Sequence, residues 1–221
     1  MNPSLKFFLF LIISLEISFI PNLVINLTFL AGSLLYLFIS KYSLKKLALI
    51  IVFAFPAAFA IFSSLYWFSD EPNLIAAWTL FTRMYVLIFL GVILINTTPP
   101  LTLARSLEQN FHLPTKLVYG WLAAFNFIPQ MQVELKKIKV ATLMRGQNLS
   151  WWSPSLYFKA ILPALAHSEE LSEGMLAHGF GRYSKRSKIK TIPLTWKDWL
   201  IFIFFLLFIQ IFFIFCTKFY L

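Results

Sequence analysis

Five apolar runs limit what this chain can become: Lys6 to Ile20, Leu23 to Ile39, Leu47 to Phe68, Leu74 to Ile95 and Leu200 to Phe215. About 20 apolar residues match the hydrocarbon thickness of a bilayer. In lipid the backbone must satisfy its own hydrogen bonds, which a helix does. Composition agrees: 59% of the residues are hydrophobic and 13% are charged, against roughly 25% charged in soluble domains. The expectation is an all-α integral membrane protein with about five transmembrane helices, the lipid bilayer being its first partner.

The first two runs are split by Pro21-Asn22 and read as helices joined by a tight turn. The first has a lysine before its apolar stretch, as a signal peptide would, but no small-x-small cleavage site follows. Glu16 lies inside it, and Arg83 lies halfway along the fourth run. Ionisable groups at that depth face the bundle interior or a partner, so Glu16 and Arg83 are candidate intramembrane polar residues, and Glu16 is one candidate partner for Arg83. Pro56 predicts a kink in the third run, and Trp67 sits near its end, where aromatic rings favour the interface. The single cysteine, Cys216, lies in the last run; it suits packing, and no CxxC or Cys/His zinc spacing exists.

Orientation follows from the loops. Lys41, Lys45 and Lys46 form one basic connection, and Asp70-Glu71-Pro72 an acidic one. Positive residues stay in the cytoplasm, which puts the N-terminus and the long basic segment inside and the C-terminus outside. The chain then divides into a four-helix membrane region (1–97), a cytoplasmic or interfacial region (98–198) and a last transmembrane helix (199–221).

The middle region holds most of the charge: of 19 Lys and Arg, 13 lie between Leu101 and Asp198. A basic excess of this kind in a membrane protein reads as cytoplasmic and headgroup-facing, not as nucleic-acid binding. Leu101 to Asn110 predicts a short helix with Leu103 and Leu107 on one face. Lys116 to Ile128 is apolar but short, and Pro129 is expected to end it. Met131 to Met144 predicts an amphipathic helix, with Met131, Leu135, Ile138 and Thr142 at helical spacing and Val133, Val140 and Met144 widening the apolar face. After the Trp151-Trp152 loop, a second polar helix is expected from about Pro163 to Ala177.

Both helices close on similar phrases: Met144-Arg145-Gly146, and Ala177-His178-Gly179 followed by Phe180-Gly181-Arg182. Glycine after the last helical turn enters the left-handed conformation without steric cost. A cation at that end is favoured by the helix dipole by roughly 0.3–1 kcal/mol. Capping explains each glycine. It does not explain why about a hundred residues form this polar assembly.

Catalytic constellations are sparse. His167 and Glu170 are three apart and His112 stands alone; no HExxH, Gly-x-Ser-x-Gly or Gly-Lys-Ser/Thr phrase occurs. No metal site and no bound cofactor is expected. A membrane-embedded enzyme using His167, Glu170 or His112, and a self-sufficient permease, remain the two alternatives on residues alone.

From Ile95 to Phe215 the chain resembles the T component of energy-coupling factor (ECF) transporters, the CbiQ/EcfT-type transmembrane protein. The resemblance rests on Thr97-Thr98-Pro99, Ser106-Leu107-Glu108, Phe127-Ile128-Pro129, the two glycine-ended phrases and the final membrane helix. The first hundred residues match only in hydrophobicity and topology. The resemblance implies a non-catalytic coupling subunit between two cytoplasmic ABC-type ATPases, which consume the ATP, and a substrate-binding membrane S component for vitamins or transition metals such as cobalt. It implies that Met144, Arg145 and Gly146, with Ala177, His178 and Gly179, are the ATPase-coupling motifs. Met144 stands where alanine is usual, and His178 where arginine is usual; Arg182 is an alternative source of the second positive charge.

Overall fold

The computed structural model describes residues 1–68, 73–179 and 191–219. These form eight helices: α1 (Pro3–Phe19), α2 (Leu23–Ile39), α3 (Leu44–Trp67), α4 (Leu74–Thr97), α5 (Pro100–Phe111), α6 (Thr115–Met144), α7 (Pro154–Ala177) and α8 (Trp196–Phe219). Two compact units result, one of Met1–Asn110 with Ile192–Leu221, the other of Phe111–Thr191. The acidic turn at Asp70-Glu71-Pro72 and the basic run from Arg182 through Lys185, Arg186 and Lys188 to Lys190 lie outside the described residues.

In the first unit, short polar residues set where helices begin. Asn2, Asn22 and Asn73 each stand at an N-cap and accept a backbone N–H from the first turn with the side-chain oxygen, satisfying a donor that the helix itself leaves open. The end of α2 is closed differently. The Lys41 N–H bonds to the Phe38 carbonyl and the Tyr42 N–H to the Leu37 carbonyl, a paired closure that needs a left-handed residue. Lys41 takes that conformation, with φ 52°, although it is not glycine.

Among the described helices, α3, α4 and α8 are long and apolar enough to cross a membrane, while α2 is a shorter apolar helix. At 17 residues, α1 and α2 each extend about 26 Å, slightly less than a hydrocarbon core of roughly 30 Å. The α4 helix packs against α1, α2 and α3. One core joins Ile13, Ile17, Ile25, Val86, Leu90, Phe213 and Cys216. The other joins Leu37, Ala54, Ala58, Tyr85, Phe89 and Ile93. Cys216 is thus a buried packing residue outside any disulfide. Asn26, fully buried between these helices, donates to the Thr79 carbonyl at 2.9 Å, a polar cross-link of α2 to α4. The α3 helix runs on through Pro56 and ends at an exposed Trp67.

The second unit differs from the sequence expectation. Pro129 and Pro163 stand where the sequence predicts helix boundaries; instead α6 runs 30 residues through Pro129 and α7 runs 24 residues through Pro163. An interior proline removes one backbone hydrogen bond and costs roughly 3 kcal/mol, but helix propagation resumes on either side once a nucleus exists. Pro154, not Pro163, occupies the first turn of α7, where a missing N–H costs nothing. The apolar face of α6 is also narrower than expected. Met131, Leu135 and Ile138 are half-buried and Thr142 is buried, but Val133, Val140 and Met144 are exposed.

Candidate functional site

The two glycine-ended phrases occupy the C-termini of α6 and α7. At the first, Gly146 N–H bonds to the Leu143 carbonyl at 2.9 Å and Gln147 N–H to the Thr142 carbonyl at 3.0 Å. That pair of bonds defines a Schellman closure, and it requires Gly146 in the left-handed region, where its φ is +75°. The closure makes Arg145 the C-cap residue. Thr142 supports it from below: buried, it donates its hydroxyl to the carbonyls of Ile138 and Lys139. Arg145 is exposed, as is Met144 before it, at 84%.

The second end repeats the arrangement. His178 is the C-cap of α7, and Gly179 has φ +72° with its N–H on the Leu176 carbonyl at 2.9 Å. Ala177 is the last helical residue, and His178 is exposed. Two helices of one unit therefore present a side chain able to carry positive charge from the same structural position, each ahead of a left-handed glycine whose N–H bonds back to the last turn. Arg182 lies outside the described residues.

The connection between these helices is tied down. Lys139 lies over the Trp151 ring at 4.6 Å from the centroid, a cation–π contact, and Tyr157 Oη donates to the Trp151 carbonyl at 3.0 Å. Trp152 is left 92% exposed. Between α6 and α7 runs a groove of about 500 Å³ whose walls include Met131, Glu134, Lys137 and Glu170. His167 also lines it, stacked on Phe127 at 5.6 Å. Its Nδ1 is 4.0 Å from Glu170 Oε2, beyond hydrogen-bond length. Among the described residues no group of three or more His, Cys, Asp or Glu is arranged to hold a metal ion. His112, between α5 and α6, is exposed and left-handed at φ 52°.

The intramembrane pair does not meet. Glu16 Oε1 accepts a short hydrogen bond from Gln210 Nε2 of α8. Arg83 donates to the carbonyl of Ile20, the C-cap of α1, at 3.1 Å. The guanidinium thus serves the negative end of the α1 dipole rather than the carboxylate one turn earlier. Glu16 Oε2 and Arg83 Nε are buried atoms without a hydrogen-bond partner.

A cluster that sequence reasoning missed lies where α1 and α8 begin. Asn2 Oδ1 accepts from Ser4 Oγ at 2.7 Å, Ser106 Oγ at 2.6 Å and Asn110 Nδ2 at 3.2 Å. Asn2 N–H donates to Asp198 Oδ1 at 3.1 Å. Asp198 in turn accepts from both the hydroxyl and the N–H of Thr195 through Oδ2. The sequence signal for its last part was present: Thr195-x-x-Asp198 ahead of an apolar run is a capping-box spacing.

These features define a class: an all-α membrane protein carrying a two-helix unit between its last two apolar segments, with an arginine and a histidine at matched helix ends. The family model CbiQ, described as cobalt transport protein, matches residues 1–191, and the chain belongs to that family. Similar proteins include energy-coupling factor transporter transmembrane proteins EcfT. That of Leuconostoc gelidum subsp. gasicomitatum is 29% identical over 158 residues, 65% of this chain and 59% of the relative. That of Bacillus selenitireducens is 30% identical over 151 residues, 62% and 56% respectively. With the protein of Brevibacillus brevis the match is 26% over 220 residues, 86% of this chain and 83% of the relative. The chain thus spans rather more than half the length of the first two.

Proposed function

We propose that this chain is the membrane coupling component of an ECF-type importer. In this reading it binds no cofactor and catalyses no reaction. Two ABC-type ATPases hydrolyse ATP in the cytoplasm, and a separate membrane S component binds the cargo, a vitamin or a transition-metal ion such as cobalt. The α6 and α7 tips dock into the ATPases, so that closure of the ATPase pair moves the helices. The N-terminus and the tips face the cytoplasm and the C-terminus faces outward, the arrangement that the positive-inside rule favours.

The observation that carries this reading is the repeated tip: Arg145 and His178 at the C-caps of two helices, each exposed and each followed by a left-handed glycine. A rigid helix ending in an exposed cation suits a groove of opposite charge, and a charge-assisted hydrogen bond there is worth roughly 1.5–3 kcal/mol. The enzyme alternative draws no support from His167, which stacks on Phe127 and makes no hydrogen bond to Glu170.

Co-purification tests the proposal. The tagged chain should bring down two ABC-type ATPases, and Arg145→Glu should abolish that association while leaving the chain folded in the membrane. ATPase association unchanged in Arg145→Glu would overturn the assigned docking role. Cargo binding by the isolated chain would overturn the non-binding assignment.

A further inference from the structure

The first unit contains a crevice of about 650 Å³ between α1, α2, α4 and α8, a volume typical of a small-molecule site. Its wall is almost entirely hydrocarbon, with Phe10, Phe29, Leu90, Phe208 and Phe212 prominent. The three Ser and Thr hydroxyls in the wall are already spent within their own helices: Thr28 donates to the Ile25 carbonyl at 2.8 Å, Ser33 to the Leu30 carbonyl at 2.9 Å and Thr97 to the Leu94 carbonyl at 3.3 Å. The interior therefore offers nothing to a polar ligand. Gly32 forms part of the wall, and a Cβ there would meet nothing within 4 Å.

The crevice arises from how α8 packs. Among its described side chains only Phe213 and Cys216 are buried, both in its second half. Its earlier residues Phe205 and Phe208 border the opening instead, and they remain 47% and 62% exposed.

One end of the crevice differs in character. Lys6 from the second turn of α1 and Tyr36 from the last turn of α2 lie there. The Lys6 ammonium has no ion-pair partner, and the Tyr36 hydroxyl no hydrogen-bond partner, among the described residues. The nearby acid, Asp198, is occupied by Asn2 and Thr195 and does not line the crevice. A greasy slot with a free cation and a free hydroxyl at one mouth is complementary to an amphiphile with an apolar tail and an anionic head. In a membrane protein the abundant molecule of that chemistry is an anionic phospholipid, which basic residues near the bilayer surface attract.

We propose that this crevice holds an acyl chain of an anionic membrane phospholipid, with the lipid phosphate against Lys6 and Tyr36. The lipid fills the gap between α8 and α2 and makes the first unit a lipid-completed bundle. This inference depends on membrane residence alone and not on the coupling role proposed above.

Native mass spectrometry of the full chain, taken from nanodiscs of equal parts phosphatidylglycerol and phosphatidylcholine, tests it. The wild type should retain a single phosphatidylglycerol after the bulk nanodisc lipid is stripped. Gly32→Leu, which fills the slot, should retain none. Lys6→Gln should still retain a lipid but lose the preference for phosphatidylglycerol by about fivefold, the effect of one basic residue near an anionic surface. Equal retention of both lipids by the wild type, or undiminished retention by Gly32→Leu with an unchanged unfolding temperature, would overturn the proposal. If Gly32→Leu does not fold, the Lys6→Gln headgroup preference decides alone. Disulfide capture of a partner membrane protein by Gly32→Cys, with no lipid retained in the assembled complex, would also overturn it and assign the slot to a partner helix.

Discussion

Ser106 Oγ donates a hydrogen bond to Asn2 Oδ1 at 2.6 Å across 104 residues of sequence. Both residues are buried, Ser106 completely and Asn2 at 4% exposure. The bond ties the start of α1 to the middle of α5, and Asn110 Nδ2 reaches both Asn2 Oδ1 and Ser106 Oγ from one turn further along. Because Asn2 N–H also holds Asp198, a single asparagine organises the beginnings of α1 and α8 and the polar face of α5. This explains why α5, polar in sequence, packs within the membrane-helix unit.

Replacing Asn2 by Ala should therefore cost more than an ordinary N-cap loss. The hydroxyls of Ser4 and Ser106 would remain buried without their acceptor, and an unsatisfied buried group costs about 1–3 kcal/mol. Thermal unfolding in detergent should show Asn2→Ala clearly destabilised. Adding Ser106→Ala should cost much less than it does alone, with a coupling of roughly 0.5–3 kcal/mol. Additive losses would show that the two side chains do not act together.

A second prediction concerns the two intramembrane ionisable residues. Glu16 bonds to Gln210 and Arg83 to the Ile20 carbonyl, so they belong to separate contacts. Arg83→Met should destabilise the bundle by up to about 2 kcal/mol through loss of a cation at a helix C-terminus. Glu16→Gln should be milder, since a Gln–Gln hydrogen bond can replace the original. The double variant should be additive to within about 0.5 kcal/mol. A large coupling energy, measured by unfolding of all four proteins under one condition, would instead reveal a direct Glu16–Arg83 ion pair.

Which parts of this structure could be read from the chain follows from the range of the interaction involved. The tips are legible because a left-handed glycine cap is local: a glycine after the last periodic residue suffices, and Gly146 and Gly179 both take positive φ. The apolar helices were legible because burial in lipid is encoded by composition. Pro129 and Pro163 are poor boundary signals because helix propagation on both sides outweighs a single local breaker. Pairing Glu16 with Arg83 failed for a different reason. Opposite charges suggest a partner, but a carbonyl at a helix end competes for a guanidinium, and only the packed backbone shows that it is nearer. The Asn2–Ser106–Asp198 cluster joins residues that are distant in sequence, and only the capping spacing at Thr195 and Asp198 announced any of it.

The tip geometry itself can be tested through Gly146. Nothing lies within 4 Å of a Cβ built there, so Gly146→Ala adds no clash and changes only the backbone preference. A left-handed alanine costs roughly 1–2 kcal/mol. Gly146→Ala should therefore speed hydrogen–deuterium exchange at the end of α6, and Gly146→Asn should do so less, since asparagine tolerates this conformation. Equal exchange in all three proteins would mean that the left-handed closure does not hold the tip.

The last prediction separates the two tips. Each is followed by a left-handed glycine, but Arg145 offers a fixed fork of five donors, whereas an imidazole offers at most two. If both dock into acidic or carbonyl-lined grooves, Arg145→Ala should weaken ATPase association by about tenfold or more, the equivalent of one charge-assisted hydrogen bond. His178→Ala should weaken it less, since the imidazole has fewer donors to lose. His178→Arg should then strengthen association. The measurement is the affinity of the reconstituted chain for the ATPases proposed above, with all three variants in parallel. If His178→Arg leaves the affinity at the wild-type value, the α7 tip does not dock through this side chain, and Arg182→Ala becomes the variant that should lower affinity.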